Sequence, residues 1–334
     1  MARVAGVDCG TNSIRLLIAD VPGRDGAALT DIVRRMEIVR LGEGVDRTGR
    51  FAPGALDRTF AVARTYGELC RHYHVESVRF AATSAARDAS NREEFYAGIR
   101  AALGVDPQVF SGQMEARTSF AGAASALDLH SGETVMAIDL GGGSTELALG
   151  SMQDGQAHVQ ASYSMNVGSV RIHERDLPSD PPSASEVAAG RRDVRAALDD
   201  AEQVVDFSAV QTVVGLAGTV TSIAAKLLGL KAYNPDAVHG ARLSLDALRA
   251  EANWFIHSTR TEREALGFLP AGRIDVIAAG ALVLDEVLAH VSQRSHVESV
   301  VVSEHDILDG VALLAAQEPQ PMLCDKVPGG EENK

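Results

Sequence analysis

The same short pattern occurs twice in this chain, 131 positions apart. Val7-Asp8-Cys9-Gly10-Thr11-Asn12-Ser13 runs into Ile14-Arg15-Leu16-Leu17-Ile18, and Ile138-Asp139-Leu140-Gly141-Gly142-Gly143-Ser144 runs into Thr145-Glu146-Leu147-Ala148-Leu149. Asp8 falls on Asp139, Gly10 on Gly141, Ser13 on Ser144 and Leu16 on Leu147. Each copy reads as strand, tight turn, strand. A long-period internal match of this kind points to a duplicated domain. Glycines let the backbone turn and come close to a ligand. Successive exposed N–H groups, helped by hydroxyls, make an anion cradle. One such stretch alone reads equally as a glycine-rich hairpin. Two facing copies set two carboxylates and two cradles across one cleft, which is far more specific.

Composition narrows the class. With 334 residues the chain is long enough for two domains with real cores. A formal net charge of −14 argues against a nucleic-acid partner, which calls for a basic face. A polyanionic substrate stays open, given a local basic lining and a divalent cation. The three cysteines, Cys9, Cys70 and Cys324, share no ligand spacing and read as reduced thiols. No apolar run is long enough to span a membrane, and no signal peptide precedes the first strand, so a cytoplasmic location is expected.

In chain order, strands are expected over 3–7, 14–21 and 30–41, a turn over Pro22–Gly26, a helix over 55–74, a buried strand over 77–83, and helices over 91–103 and 111–127. Strands at 134–138, 146–150 and 157–165 open the second part in the same way. A Pro- and Ser-rich loop over 177–185, a helix over 186–205 and a strand over 211–214 follow. Gly215-Leu216-Ala217-Gly218-Thr219 is another strand-to-helix turn. Helices over 245–258, 262–266 and 274–292, a strand over 297–303 and a helix over 306–317 complete the ordered part. The expected units are 1–127 and 128–305, with 306–317 packing back on the first and a disordered tail over 318–334.

Several motifs then resemble, in order and over nearly the whole chain to about residue 316, the exopolyphosphatase / guanosine pentaphosphate phosphohydrolase family within the actin–sugar kinase–Hsp70 superfamily. They are Asp8–Ser13, Ala82–Ala89, Ser111-Gly112-Gln113-Met114-Glu115-Ala116, Asp139–Glu146, Asn166–Arg171, Gly215–Thr219, His239-Gly240 and Arg273–Gly280. The resemblance implies an α/β fold of two duplicated actin-like domains facing a central cleft. Two departures stand out. Cys9 replaces the usual Leu or Ile, and Leu308 replaces an Arg carried by many members, which puts one phosphate or structural contact in question. Longer members also continue into a helical C-terminal half.

What the resemblance implies for chemistry is a metal-dependent release of terminal phosphate from inorganic polyphosphate. Alternatives are 5′-hydrolysis of guanosine pentaphosphate, an actin-like or sugar-kinase ATPase, and a non-catalytic polyphosphate or nucleotide sensor. Gly10, Thr11, Asn12 and Ser13, with Gly141, Gly142, Gly143 and Ser144, would hold phosphoryl oxygens. Asp8 and Asp139 would hold Mg²⁺ or Mn²⁺. Glu115, by itself a helix-dipole carboxylate, takes the family's role of catalytic base, and Glu146 that of positioning water or metal. Arg87 follows a buried strand at the crevice where α/β ligands bind, and reads as a phosphate contact; Arg273 takes the same role. Arg171 and His239 are either structural or line the far end of the cleft, and His239 lacks partners at zinc-ligand spacing. Short polyphosphates are expected to be preferred over long ones. Whether the chain forms a homodimer is not read from the sequence.

Overall fold

The computed structural model describes residues 2–21, 29–153, 156–320 and 322. The turn expected over Pro22–Gly26, and residues 321 and 323–334 of the tail expected to be disordered over 318–334, lie outside the described residues; the start of that tail is instead ordered, Glu318 pairing with Arg79 at 2.8 Å and Gln320 bonding Val78 N–H and Ser77 Oγ at 2.9 Å each.

Each copy of the repeated motif forms a hairpin that seeds its own sheet. In the first, β1 (Ala2–Cys9), β2 (Ser13–Val21) and β3 (Thr30–Ile38) run as an antiparallel meander. β4 (Ser77–Ala82) lies parallel to β1, and β5 (Gln108–Val109) parallel to β4, giving the order β3-β2-β1-β4-β5. In the second, β6 (Val135–Leu140), β7 (Thr145–Gln153) and β8 (Gln156–Met165) repeat the meander. β9 (Thr212–Leu216) lies parallel to β6. β10 (Arg242–Ser244) pairs antiparallel with β11 (Ser299–Val302), which runs parallel to β9, so the order is β8-β7-β6-β9-β11-β10. The first five strands of both sheets follow one plan, the duplicated α/β architecture expected for actin-like domains. Every residue of β4 and β6 is buried, as central parallel strands with helices on both faces require. β3, an edge strand, exposes most of its charged residues and so resists pairing with another chain.

Two helices exchange sides between the sheets. The helix Gly112–Ala124 sits in sequence with the first domain, yet Ala116, Phe120 and Ala123 pack with Val135, Ala137, Ala148 and Leu216 of the second sheet. This helix, placed in the first unit by its position in the chain, thus covers the second sheet. A helix's apolar stripe says that it must be covered, not which sheet covers it. The helix Ile307–Gln317 follows the second sheet and packs through Leu308, Ala312 and Ala315 on Val4, Leu17 and Ala19 of the first. Where the two helices cross, a Cβ on Gly122 would overlap the Asp306 carbonyl and one on Gly310 the Thr118 carbonyl, so only glycine permits that approach. The helix Ser169–Asp176 is an addition to the elements expected from sequence.

Candidate active site

The cleft between the two hairpin turns encloses about 390 Å³ and is lined by both copies of the repeated motif. The turns match atom for atom in their closing bond: Gly10 N–H donates to the Ser13 carbonyl at 2.9 Å, and Gly141 N–H to the Ser144 carbonyl at 3.0 Å. Outside the cleft the loop carbonyls are tied back. Thr11 O accepts from Gly42 N–H at 2.8 Å, and Asn12 O from Val39 and Arg40 N–H at 3.0 and 2.9 Å. In the second copy Gly141 O accepts from Ser169 N–H at 3.0 Å, and Gly142 O from Val170 and Arg171 N–H at 2.8 and 3.1 Å. A peptide's C=O and the next N–H point in opposite directions across one plane. Tying the carbonyls back turns the following N–H groups the other way. Those of Asn12, Gly142 and Gly143 follow such carbonyls and, like the N–H groups of Thr11 and Ser144, have no acceptor among the described residues. Thr11, Gly143 and Ser144 are buried, where unpaired N–H groups are rare, so these groups could donate to an anion's oxygens. The turns also press together: a Cβ on Gly142 would lie 3.0 Å from Thr11 Cβ, and one on Gly143 2.6 Å from Ser84 Oγ.

The duplication is geometric but not electrostatic. Asp8 on β1 faces Arg15 on β2, and Asp139 on β6 faces Glu146 on β7; the two partners occupy equivalent positions of the repeat. Arg15 gives Asp8 Oδ2 two bonds, at 2.9 and 2.7 Å, and reaches Asp306 at 2.5 Å. Asp139 has no such cation and receives Ser119 Oγ–H at 2.5 Å. Burial, followed by the Asp306 and Glu146 charges, pushes Asp139 up to about 8. Burial also raises Asp8 despite Arg15.

Glu115, in the first turn of the helix capped by Ser111, lines the cleft and is 7% exposed. Burial first, then the Glu146 charge, holds its carboxyl well above the usual range, with Arg87 opposing. Two of the expected residues stand at the back of the cleft wall in this structure. The Arg87 guanidinium donates to Glu115 Oε2 at 2.5 Å, to the Phe110 carbonyl at 3.0 Å and to Ser144 Oγ of the second cradle at 3.3 Å. A buried carboxylate is the stronger partner, so Arg87 orients the base and braces the second cradle. Glu146 likewise stands behind the cleft wall, where it accepts from Ser164 Oγ at 2.7 Å and lies 3.8 Å from Arg87; burial raises it too. Arg273 does reach the cleft. It donates to Ser222 Oγ at 3.2 Å and has no carboxylate partner among the described residues. Desolvation lowers its pKa, and an anion would relieve that cost.

Residues 18–315 match the sequence profile of the Ppx/GppA phosphatase family. The chain belongs to this family. Exopolyphosphatase 2 of Mycobacterium tuberculosis is 45% identical over 322 residues, covering 95% of this chain and 99% of that protein. The crystal structure of an exopolyphosphatase-like protein superposes with a TM-score of 0.88 at 41% identity, covering 95% of this chain and 99% of the other. That of the Aquifex aeolicus Ppx/GppA family member gives 0.75 at 29% identity, covering 95% and 98%.

Within this Ppx/GppA chain the departures and open positions have local explanations. Cys9 is buried in the first core. Leu308 packs among Val4, Leu17 and Ala312, where a leucine supplies apolar contact between helix and sheet. His239 is structural: Nε2 meets the Ala126 carbonyl at 3.2 Å, and Nδ1 accepts from Glu304 N–H at 3.3 Å. Arg15, Ser119 and Asp306 join the site although no motif singled them out. The signal for Arg15 lay in the repeat itself, since it occupies the place of Glu146.

The donor set suits a hard cation. Among the described residues Asp8 Oδ1 is buried without a partner and Asp139 pairs directly with no cation, and both offer carboxylate oxygen. Among the described residues no group of three or more His, Cys, Asp or Glu encloses a metal. Mg²⁺ keeps several waters and can take one or two carboxylates plus substrate oxygens, so Asp8 and Asp139 could hold it without such a group.

Proposed function

We propose that this chain is an exopolyphosphatase that uses Mg²⁺ or Mn²⁺ to release the terminal phosphate of inorganic polyphosphate, acting in the cytoplasm. The observation that carries this reading is the set of five orphan N–H groups facing a buried carboxylate that is held by an arginine. The cradles grip the terminal phosphoryl oxygens. Glu115 takes a proton from water as its oxygen attacks the terminal phosphorus. The bond to the bridging oxygen breaks, and the shortened chain leaves. Asp139, with Asp8, would hold the cation, which neutralises phosphate charge when bound. Positioning and charge neutralisation supply most of the rate in phosphoryl transfer.

Two of the four arginines on the cleft wall, Arg15 and Arg34, are already paired with carboxylates, which leaves Arg35 and Arg273 for substrate. Only a few phosphates gain a basic contact. We therefore expect kcat/KM to be higher on short polyphosphates than on long ones, and long chains to be shortened distributively. A gel time course in which long chains vanish without intermediates would overturn this preference.

A second reading, 5′-hydrolysis of guanosine pentaphosphate, is favoured by one feature. Tyr233, Phe268, Pro270 and Val276 add aromatic and apolar groups to the lining of the same cleft. The deciding assay is phosphate release from polyphosphates of defined length, guanosine pentaphosphate and ATP, with and without Mg²⁺. Release from ATP alone would favour an ATPase, and release from none a sensor.

The raised Glu115 sets the expected pH profile. A protonated carboxyl cannot accept a proton, so kcat/KM climbs as pH rises through its elevated pKa. The acid limb should lie above the ordinary glutamate value of about 4.3. A limb at that ordinary value would count against Glu115 as the base.

A further inference from the structure

We propose that Arg171 is a positioning residue that couples closure of the cleft to the shape of the second phosphate cradle. Its kinetic consequences rest on the phosphohydrolase reading.

Three successive carbonyls must be tied back to turn the N–H groups of Gly142, Gly143 and Ser144 toward the cleft. The helix Ser169–Asp176 takes the first two with the backbone N–H groups of its first turn. The third, Gly143 O, is held by the Arg171 side chain, whose Nε donates at 2.7 Å. Gly143 O and Ser144 N–H share one peptide plane, so Arg171 sets the aim of the Ser144 donor.

The same guanidinium crosses to the other domain. Nη1 pairs with Asp46, and Nη2 with Asp88 at 2.5 Å, with Ser84 Oγ at 3.4 Å. Asp46 follows the loop whose Val39, Arg40 and Gly42 N–H groups brace the first cradle. Asp88 ends the short helix that carries Arg87, the residue holding Glu115. One side chain, 13% exposed, thus touches the supports of both cradles and of the base. A planar fork with five donors can span a carbonyl and two carboxylates; a lysine ammonium cannot. Opening the cleft pulls Arg171 from Asp46 and Asp88. Closing it seats the guanidinium and with it the Gly143 peptide. Glu174, which accepts from Gly44 N–H at 3.1 Å, closes the same seam.

The test compares wild type, Arg171→Ala, Arg171→Lys, the Asp46→Asn/Asp88→Asn pair and the triple variant on tripolyphosphate. A displacement of about 1 Å in a positioned group can cost roughly 10²-fold. Arg171→Ala should therefore lose about that much kcat, with a smaller rise in KM. Arg171→Lys should not restore it, whereas free guanidinium ion far below denaturing concentration should restore part of it. The triple variant should be no worse than Arg171→Ala, because all three residues act through one contact. Wild-type kcat and KM in Arg171→Ala, with only Tm changed, would overturn the proposal, as would additive losses in the triple variant. Calorimetric affinity for a non-hydrolysable imido analogue of tripolyphosphate separates the two readings. If wild type releases no phosphate, the hydrolase reading fails. Arg171 is then judged by binding, and unchanged affinity in Arg171→Ala overturns it.

Discussion

Glu115→Gln is expected to lower kcat by about 10²–10⁴-fold, the range for loss of a general base, while the protein stays folded. The amide oxygen of Gln can still accept from Arg87, which now donates at 2.5 Å. What disappears is the capacity to hold water's proton. The substitution also removes one charge from a buried group of acids, since Glu146 and Asp139 both push the Glu115 pKa upward. Arg87 loses a charged partner while the acid cluster loses one member, so the two effects oppose and thermal stability should change far less than turnover. Equilibrium binding of an imido analogue should survive, because the cradle N–H groups and Arg273 are untouched. Steady-state kinetics beside calorimetry read both quantities. Near-normal turnover would remove Glu115 from the role of base. Collapse of turnover together with unfolding would reassign it to holding Arg87 in place.

Much of this site was legible in the sequence because its anion-binding part is local. A turn of three or four residues, with glycine where the backbone must come close and a hydroxyl at its end, is written contiguously, and here it is written twice. The strands on either side follow from apolar runs. The cap of the helix Gly112–Ala124, Ser111, whose Oγ accepts from Met114 N–H at 3.2 Å, is equally local. What was not legible depends on distant parts of the chain. Arg15 and Asp306 meet across 291 positions, and Arg171 and Asp46 across 125. No spacing rule reports such pairs. The helix Ser169–Asp176 was hidden because Ser-Val-Arg-Ile-His-Glu-Arg-Asp buries only Ser169, Val170 and Ile172, too short a stripe to read. Arg87 was placed on the right element, but its bond to Glu115 was not foreseen. Sequence showed a cation at a strand-end crevice, but not that a buried carboxylate one helix away would claim it.

The broken electrostatic symmetry of the two hairpins leads to the second large effect. Asp8 has a built-in cation in Arg15, while Asp139 faces Glu146 and has none, so added cation should matter chiefly at Asp139. Asp139→Asn is expected to abolish most activity at ordinary Mg²⁺ and to raise sharply the concentration needed, because a hard cation prefers carboxylate to amide oxygen. Asp8→Asn should shift that requirement far less. Chelation should silence the wild type. The metal-free protein provides a readout independent of turnover. Asp139 binds its proton more tightly folded, with its pKa moved from 3.8 to about 8, than unfolded. Its contribution to stability is thus complete below pH 3.8 and is lost as pH rises toward about 8. Asn has no such dependence. At neutral pH and above, metal-free Asp139→Asn should melt higher than metal-free wild type. Each pKa unit corresponds to about 1.36 kcal/mol, so partial relief already moves Tm by a few degrees. Added Mg²⁺ should then raise the wild-type Tm by mass action and leave the variant nearly unmoved. Equal Mg²⁺ shifts in both proteins would show that the cation is held elsewhere. Full activity after exhaustive chelation would show that neither aspartate serves a cation at all.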